Sequence, residues 1–292
     1  MGYNLTEQVL NAIDHDLKNT IFSFIPNTAE TAFYGMLKGM EDFLNKVKIE
    51  RILSWGRDYD PEKLKEMINR RIRIEKVAIK DVKMRTFITE DSSRSEMVQH
   101  VYDITYGTVK KDVDTLVVID DSIVRGTTLR ESIIRMLSRL QPKKIIVVSS
   151  SPQIRYPDCY GIDMSKMGEF VAFQAVAALL KERNKEACLQ EIYDHCKELS
   201  RSNQLHTENV VKRIYKLFTI EEITNKIAEL ITPKNLGIPV QVIYQTIENL
   251  HTACPSNLGD WYFTGNYPTP GGNKVVNKAF MNYMEGKNVR GY

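Results

Sequence analysis

Apolar positions along the chain fall into two regimes, an alternation of strands and helices followed by a long helical stretch. Leu5, Val9, Leu10, Ile13 and Leu17 recur at helical spacing and predict an amphipathic helix over residues 5–18. The short apolar run 21–25 is stopped by Pro26 and predicts a buried strand. Thr28 then stands where it can cap a helix running to about Val47. Residues 50–72 are charged, with one helix after Pro61, and residues 72–79 alternate as a strand does. The β-branched run 114–119 predicts a further strand. Leu129, Ile133, Ile134, Met136 and Leu137 return to helical spacing within 128–140, and 143–150 is another apolar strand. Beyond about residue 165 the pattern predicts helices over 167–183, 185–199, 220–231 and 239–251. From Pro255 the Gly, Asn, Pro and Tyr content predicts irregular chain.

A strand, loop, helix and strand with apolar runs on both sides is a βαβ unit of a parallel sheet. The expected fold class is therefore α/β, a parallel twisted sheet flanked by helices with a mostly helical C-terminal region. The expected division is a core over 1–165 and a helical extension over 166–292 packed on that core. Of the 292 residues, 42% are apolar and 26% charged, as in soluble globular proteins. A net charge of +3, from 40 basic and 37 acidic residues, is too near neutral for a nucleic-acid binder, so any anion site must be built locally. No apolar run reaches the ~18–20 residues of a membrane span. Residues 1–10 lack the charged start and apolar stretch of a signal peptide, so a cytoplasmic location is expected. Cys159, Cys188, Cys196 and Cys254 form no CxxC pair and read as free thiols. The five histidines show no HExxH spacing, which gives a structural metal site no support. His195 and Cys196 on a helix read as packing residues, not as base and nucleophile.

The chemistry concentrates where the strand 114–119 meets the helix that follows. Asp120 and Asp121 stand at the carboxyl edge of that strand, where open parallel sheets bind ligands. Gly126 lets backbone approach a ligand closely, and bulk there is expected to block phosphate entry. Thr127 and Thr128 open the next helix, whose N-terminus carries roughly half a positive charge and unpaired N–H donors. The loop thus offers two carboxylates and a phosphate cradle, which match the hydroxyls and the 5′-phosphate of a ribose phosphate. Two solvated aspartates on a capping loop are the plainer reading. Against it stands the spacing of four apolar residues, two acids, four residues and then Gly-Thr-Thr.

Residues 117–128, VVIDDSIVRGTT, resemble the phosphoribosylpyrophosphate (PRPP) loop of type I phosphoribosyltransferases. Within that class, DDSIVRGTT resembles the glutamine PRPP amidotransferases more than the salvage enzymes. The latter usually have glycine after the threonine pair, where this chain has Leu129. Three further blocks are similar to that family and fall in its order: RTFI at 85–88, PQIRYP at 152–157 followed by YGIDM at 160–164, and FTGNYP at 263–268.

The resemblance implies displacement of pyrophosphate from C1 of PRPP by ammonia, giving 5-phosphoribosylamine through an oxocarbenium-like transition state. It assigns the ribose hydroxyls and the shell of a magnesium ion, Mg2+, to Asp120 and Asp121. It assigns the 5′-phosphate to Ser122, Ile123, Val124, Arg125, Gly126, Thr127 and Thr128. Pro26, Asn27, Thr28 and Ala29 resemble the pyrophosphate loop, and Arg85 belongs to a mobile loop that closes over PRPP. For Arg125 and Arg155, anion contact and a structural ion pair both stay open. The family has an acid where Asn27 stands, and the catalytic lysine of its mobile loop has no clear counterpart here. Positions that hold an iron–sulfur cluster in some members fall on Asp158, Gly259 and Tyr262, so no iron–sulfur cluster is expected. The family's glutaminase domain starts at a cysteine, whereas this chain opens Met1-Gly2-Tyr3. That half is therefore expected to be missing or upstream in a longer chain, with free ammonia as nitrogen source. The C-terminal helices are expected to pack on that half or on another copy in a homo-oligomer. Two alternatives stand beside this reading: a nucleobase phosphoribosyltransferase, and a non-catalytic PRPP-binding regulatory or scaffold module.

Overall fold

The computed structural model describes residues 1–26, 28–56, 59–80, 102–159, 164–257 and 259–291. It comprises two compact units with interleaved chain. The first gathers Met1–Asp121, Glu131–Ser150 and Asn235–Gln245, and the second gathers Ser122–Arg130, Ser151–Lys234 and Thr246–Tyr292.

The first unit is built on a five-stranded sheet. Its strands are β1 (Thr20–Phe24), β2 (Arg73–Ile74), β5 (Thr115–Asp120), β6 (Lys144–Ser149) and β7 (Val240–Tyr244). They lie in the order β2-β1-β5-β6-β7 and every pairing is parallel. Two short strands, β3 (Ala78–Lys80) and β4 (Tyr102–Ile104), form a separate antiparallel pair. Phe22, Leu116, Val117, Val118, Ile119, Ile145, Ile146, Val147 and Val148 are fully buried, as expected of strands covered on both faces. Each such side chain contributes roughly 1.5–3 kcal/mol of burial. The helix Glu30–Ser54 turns Phe33, Met36, Leu37, Met40 and Leu44 into the same core, with the Phe24 and Phe33 rings 5.0 Å apart. The short helices Thr6–Ala12 and Ile134–Ser138 pack on the helix Glu30–Ser54 and on β6, respectively.

In the second unit, the helix Val171–Glu182 packs on Ile220–Ile231, and Ala187–Arg201 packs on Pro270–Met284. Phe173 meets Phe280 and Tyr283 edge-on, with ring centroids at 6.2 and 4.8 Å. Thr219 starts its helix with a capping box, its hydroxyl accepting from Glu222 N while the Glu222 carboxylate accepts from Thr219 N. Among the described residues no helix is long and apolar enough to cross a membrane.

The α/β class and parallel sheet agree with the sequence pattern, but several segments differ from it. The first helix stops at Ala12 because Asp14 and His15 take left-handed φ of 51° and 59°. The Asp16 carboxylate then accepts from Lys18 N and Asn19 N and turns the chain into β1. The predicted strand 72–79 is broken in two: Arg73–Ile74 joins the main sheet and Ala78–Lys80 leaves it to pair with β4. The predicted helix 239–251 is instead β7, followed by the helix Ile247–Ala253. Val240, Val242 and Ile243 pair with β6, and Thr246 caps the helix through Asn249 N. Pairing to a buried strand overrides the helical spacing. The tail read as irregular contains the helix Pro270–Met284, whose Pro sits at its start, where the missing N–H costs nothing. Its Gly272 has no room for a Cβ, which would lie 2.3 Å from the Tyr267 ring.

Asp114 anchors the amino end of β5. Its fully buried carboxylate takes both arms of Arg73, at 2.6 and 2.9 Å, and the Lys110 N–H at 2.7 Å. Burial pushes this carboxyl up, but the hydrogen bonds from Arg73 and Lys110, with their charges, outweigh it and hold it below its ordinary value. Arg73→Met should leave a buried carboxylate without its counter-ion and cost about 3 kcal/mol in urea unfolding. The stabilisation from Asp114 is complete above the ordinary carboxylate range and is lost as pH falls through the lowered folded value. The wild type should therefore lose stability on acidification more steeply than R73M.

Candidate active site

In the first unit, the ladder runs one residue past the strands. Ile25 N donates to Ile119 O and Ser150 N to Asp120 O, each at 2.9 Å, so the chain leaves β1, β5 and β6 at one level. Asp120 closes β5, and its Oδ1 accepts from Asp121 N at 2.9 Å. The Ser150 hydroxyl donates to Asp121 O at 3.1 Å. The Thr28 hydroxyl donates to Asp121 Oδ2. Thr28 therefore does not cap the helix that starts at Glu30, whose N-cap is Ala29 without a side-chain bond. Both aspartates are half-buried, Pro26 and Ala29 are buried, and Thr28 is exposed. The structure thus joins two sequence-predicted segments, 26–29 and 120–121, through one hydroxyl-to-carboxylate bond. Ser150 was not anticipated, because a serine at the end of an apolar strand carries no signal of its own.

In the second unit, residues 122–130 are held by their apolar members. Ile123 is 2% exposed, and Val124 O accepts from Val171 N at 2.8 Å. Arg125 forms an ion pair with Glu169 at 2.7 Å, and Lys166 lies 3.4 Å from the same carboxylate. Gly126 has φ of +70°, and a Cβ there would lie 2.8 Å from Ile231 Cγ2 and 3.2 Å from Val171 Cγ2. A side chain at 126 would run into this apolar packing, so a bulky substitution perturbs the fold before it can report on phosphate entry. Arg130 N donates to Gly126 O at 3.0 Å as the helix begins, and Thr127 and Thr128 are exposed.

Two other blocks singled out in the sequence meet within this unit. Arg155 N and Tyr156 N donate to Tyr262 O at 2.8 and 3.1 Å, and the Tyr267 hydroxyl donates to Pro157 O at 2.5 Å. The Arg155 guanidinium donates to Gln153 Oε1 at 3.1 and 2.7 Å and lies 5.3 Å from the centre of the Tyr215 ring. Burial pushes the Tyr156 and Tyr215 phenols up, so both remain protonated at neutral pH. Asp158 accepts from the Tyr262 hydroxyl at 3.2 Å. Cys196 is fully buried, and burial, aided by the Glu208 charge, pushes its thiol up to about 12, which leaves little thiolate to act as a nucleophile. Asn27, Arg85 with the rest of 85–88, and residues 160–163 lie outside the described residues.

An α/β protein with paired acids at the carboxyl edge of a parallel sheet is the class that the sheet and its edge define. Over part of its length the chain is similar to amidophosphoribosyltransferases. It is 51% identical to that of Pasteurella multocida over 63 residues, which is 22% of this chain and 12% of that protein. It is 37% identical to that of Staphylococcus aureus over 90 residues, 30% of this chain and 17% of that protein. The matches thus span well under a quarter of the relatives' own length. A solved structure of glutamine PRPP amidotransferase from B. subtilis, complexed with ADP and GMP, aligns with a TM-score of 0.49 at 21% identity, covering 92% of this chain and 42% of that one. No family model matches the chain.

Gly126→Ala should cost about 2 kcal/mol, from the left-handed backbone and from contact with Ile231, read as a lowered unfolding midpoint in urea. Unchanged stability would show that the loop does not hold this conformation in solution.

Proposed function

We propose that the chain is the phosphoribosyl-transfer part of an amidophosphoribosyltransferase, with the type I phosphoribosyltransferase fold, acting in the first step of purine synthesis. The observation that carries this reading is the link from Thr28 to Asp121 beside Asp120, at the edge from which Ser122–Arg130 departs. The sequence identity to amidophosphoribosyltransferases supports it. In the reaction, the ammonia lone pair forms the C1–N bond while the C1–O bond to pyrophosphate breaks. The electron pair of that bond leaves with pyrophosphate, and the surplus proton on nitrogen passes to solvent. Positive charge develops on the ribose ring and negative charge on the leaving group, so the protein acts by positioning and electrostatics.

Asp120 and Asp121 would hold the ribose hydroxyls, and Thr28 orients Asp121 for that contact. Ser122 to Thr128 would hold the 5′-phosphate through backbone N–H groups and the Thr127 and Thr128 hydroxyls. Pro26, Asn27, Thr28 and Ala29 would lie along the pyrophosphate, and Arg85 would close over it. The implied Mg2+ fits this donor set. Asp120 and Asp121 would supply hard carboxylate oxygens, and among the described residues no group of three or more His, Cys, Asp and Glu forms a cage. Two carboxylates suit an ion that would arrive on substrate phosphates and would supply charge neutralisation at the leaving group. A free ammonia source, a glutaminase domain as partner and a cytoplasmic homo-oligomer complete the reading. The sequence places Asn27 where the resemblance has an acid, which favours the non-catalytic PRPP-binding module as second reading.

With PRPP, Mg2+ and ammonium, the chain should release pyrophosphate, and D120N/D121N should reduce that release on the order of 100-fold while leaving the melting curve unchanged. Thr28→Val should raise KM for PRPP about tenfold, the loss of one charge-assisted bond. Saturable PRPP binding without pyrophosphate release selects the non-catalytic reading, and absence of PRPP binding overturns both.

A further inference from the structure

The second unit contains a cavity of about 440 Å³ that none of residues 120–128 lines. Its wall carries Lys212, Arg213 and Lys216, with Glu208 as its carboxylate, and the amides of Asn209 and Asn266. Three cations against one carboxylate give the cavity a net positive charge in a chain that is close to neutral overall. The volume is that of a small-molecule site, but the lining is polar where such sites are usually apolar. Lys212 Nζ donates to Asn266 Oδ1 at 2.5 Å. Arg213 Nη1 is 3.2 Å from His195 Nδ1, and His195 Nε2 is 3.8 Å from Glu208 Oε1. Among the described residues the Lys216 side chain has no hydrogen-bond or ion-pair partner. Among the described residues none of these three cations is therefore neutralised by a short carboxylate contact.

A second, independent feature lies in the same wall. Asn209 is 9% exposed, and its Nδ2 donates to Gly265 O at 3.1 Å. That carbonyl fixes the orientation of the amide, since the reverse would oppose two acceptors. Asn209 Oδ1 is thereby left buried with no hydrogen-bond partner, an acceptor that calls for a donor. A phosphate alone satisfies the cations but offers this acceptor little, whereas a hydroxyl on the same molecule satisfies it.

We propose that this cavity binds a small hydroxyl-bearing phosphomonoester, a sugar phosphate in chemical class, with Lys212, Arg213 and Lys216 on the phosphate and Asn209 Oδ1 on a hydroxyl. The site is distinct from the proposed PRPP site and does not rest on it.

The test uses the whole chain and three probes: glucose 6-phosphate, inorganic phosphate and glucose. Binding is followed by amide NMR shifts at 209–216 and at the Asn209 side chain. Glucose 6-phosphate should bind saturably, inorganic phosphate about tenfold more weakly, and glucose not at all. K212M/K216M should weaken glucose 6-phosphate about tenfold or more, whereas D120N/D121N should leave its affinity unchanged. Lys216→Met alone, at an exposed position, carries the test should the double variant fail to fold. Equal affinity for phosphate and glucose 6-phosphate overturns the hydroxyl contact. Shifts confined to 120–128, affinity indifferent to the lysines, or no saturation below about 10 mM overturns the site.

Discussion

The parallel pairing of β1, β5 and β6 is the constraint from which the candidate site follows. In a parallel sheet every strand delivers its carboxyl end to the same edge, so loops far apart in sequence emerge as neighbours. Here Ile25 N and Ser150 N continue the ladder past the strands on either side of β5. That extension sets Thr28 against Asp121 across 93 residues of chain. A slip of one residue in β5 would exchange Asp120 and Asp121 between faces and break this contact. The fully buried runs 116–119 and 145–148 resist such a slip, because it would move apolar side chains out of their packing. The core of the first unit therefore specifies the position of the acids as well as supplying stability.

The same strand uses aspartate in two opposite ways. At its amino end Asp114 is wholly enclosed, and Arg73 and the Lys110 N–H answer its charge in full. At its carboxyl end Asp120 and Asp121 remain half-buried, Asp120 Oδ1 accepting from Asp121 N and Asp121 Oδ2 from the Thr28 hydroxyl. A carboxylate enclosed with its counter-ion fixes geometry, whereas one partly exposed to solvent can meet a ligand hydroxyl or a hydrated cation. Composition cannot separate these cases, because the difference lies in what the backbone brings near each group.

Much of the first unit was legible in the sequence, because buried parallel strands write themselves as continuous β-branched runs. The runs 114–119 and 143–150 lie within one residue of β5 and β6 at each end. The misreadings share one cause, which is that partners distant in sequence decide between local alternatives. Residues 240–244 satisfy helical spacing but find a free edge at β6, and pairing there buries Val242, Ile243 and Tyr244. Thr28 is a good cap by type, yet its hydroxyl serves Asp121, a residue no local rule could bring to it. The pair of glycines at 271–272 signals irregular chain, but Gly272 is small because the Tyr267 ring occupies the place of its Cβ. The acid pair and the Gly-Thr-Thr that follows were visible as a motif. Ser150 was not, and the ion pair left open for Arg125 came without its partner Glu169, since both depend on which backbones and side chains the fold juxtaposes.

The two proposed anion sites are built from different materials, and this has a physical consequence. The loop 122–128 offers backbone N–H groups, with its conformation set by Ile123, by the Val124 carbonyl and by a left-handed Gly126 seated against Ile231 and Val171. Its pull on a phosphate is dipolar and short-ranged, and is set by hydrophobic packing behind the loop. The cavity at 208–216 offers charged side chains on flexible stems, at least one of them exposed and without a partner among the described residues. Attraction of that kind is screened by salt over about 10 Å and tolerates different positions of the bound phosphate. A backbone cradle thus favours one fixed pose, as a reaction at C1 demands, whereas a lysine-rich cavity favours capture with looser geometry. The two proposals thus ask different things of a ligand, one fixed pose at the carboxyl edge and charge with a hydroxyl in the cavity.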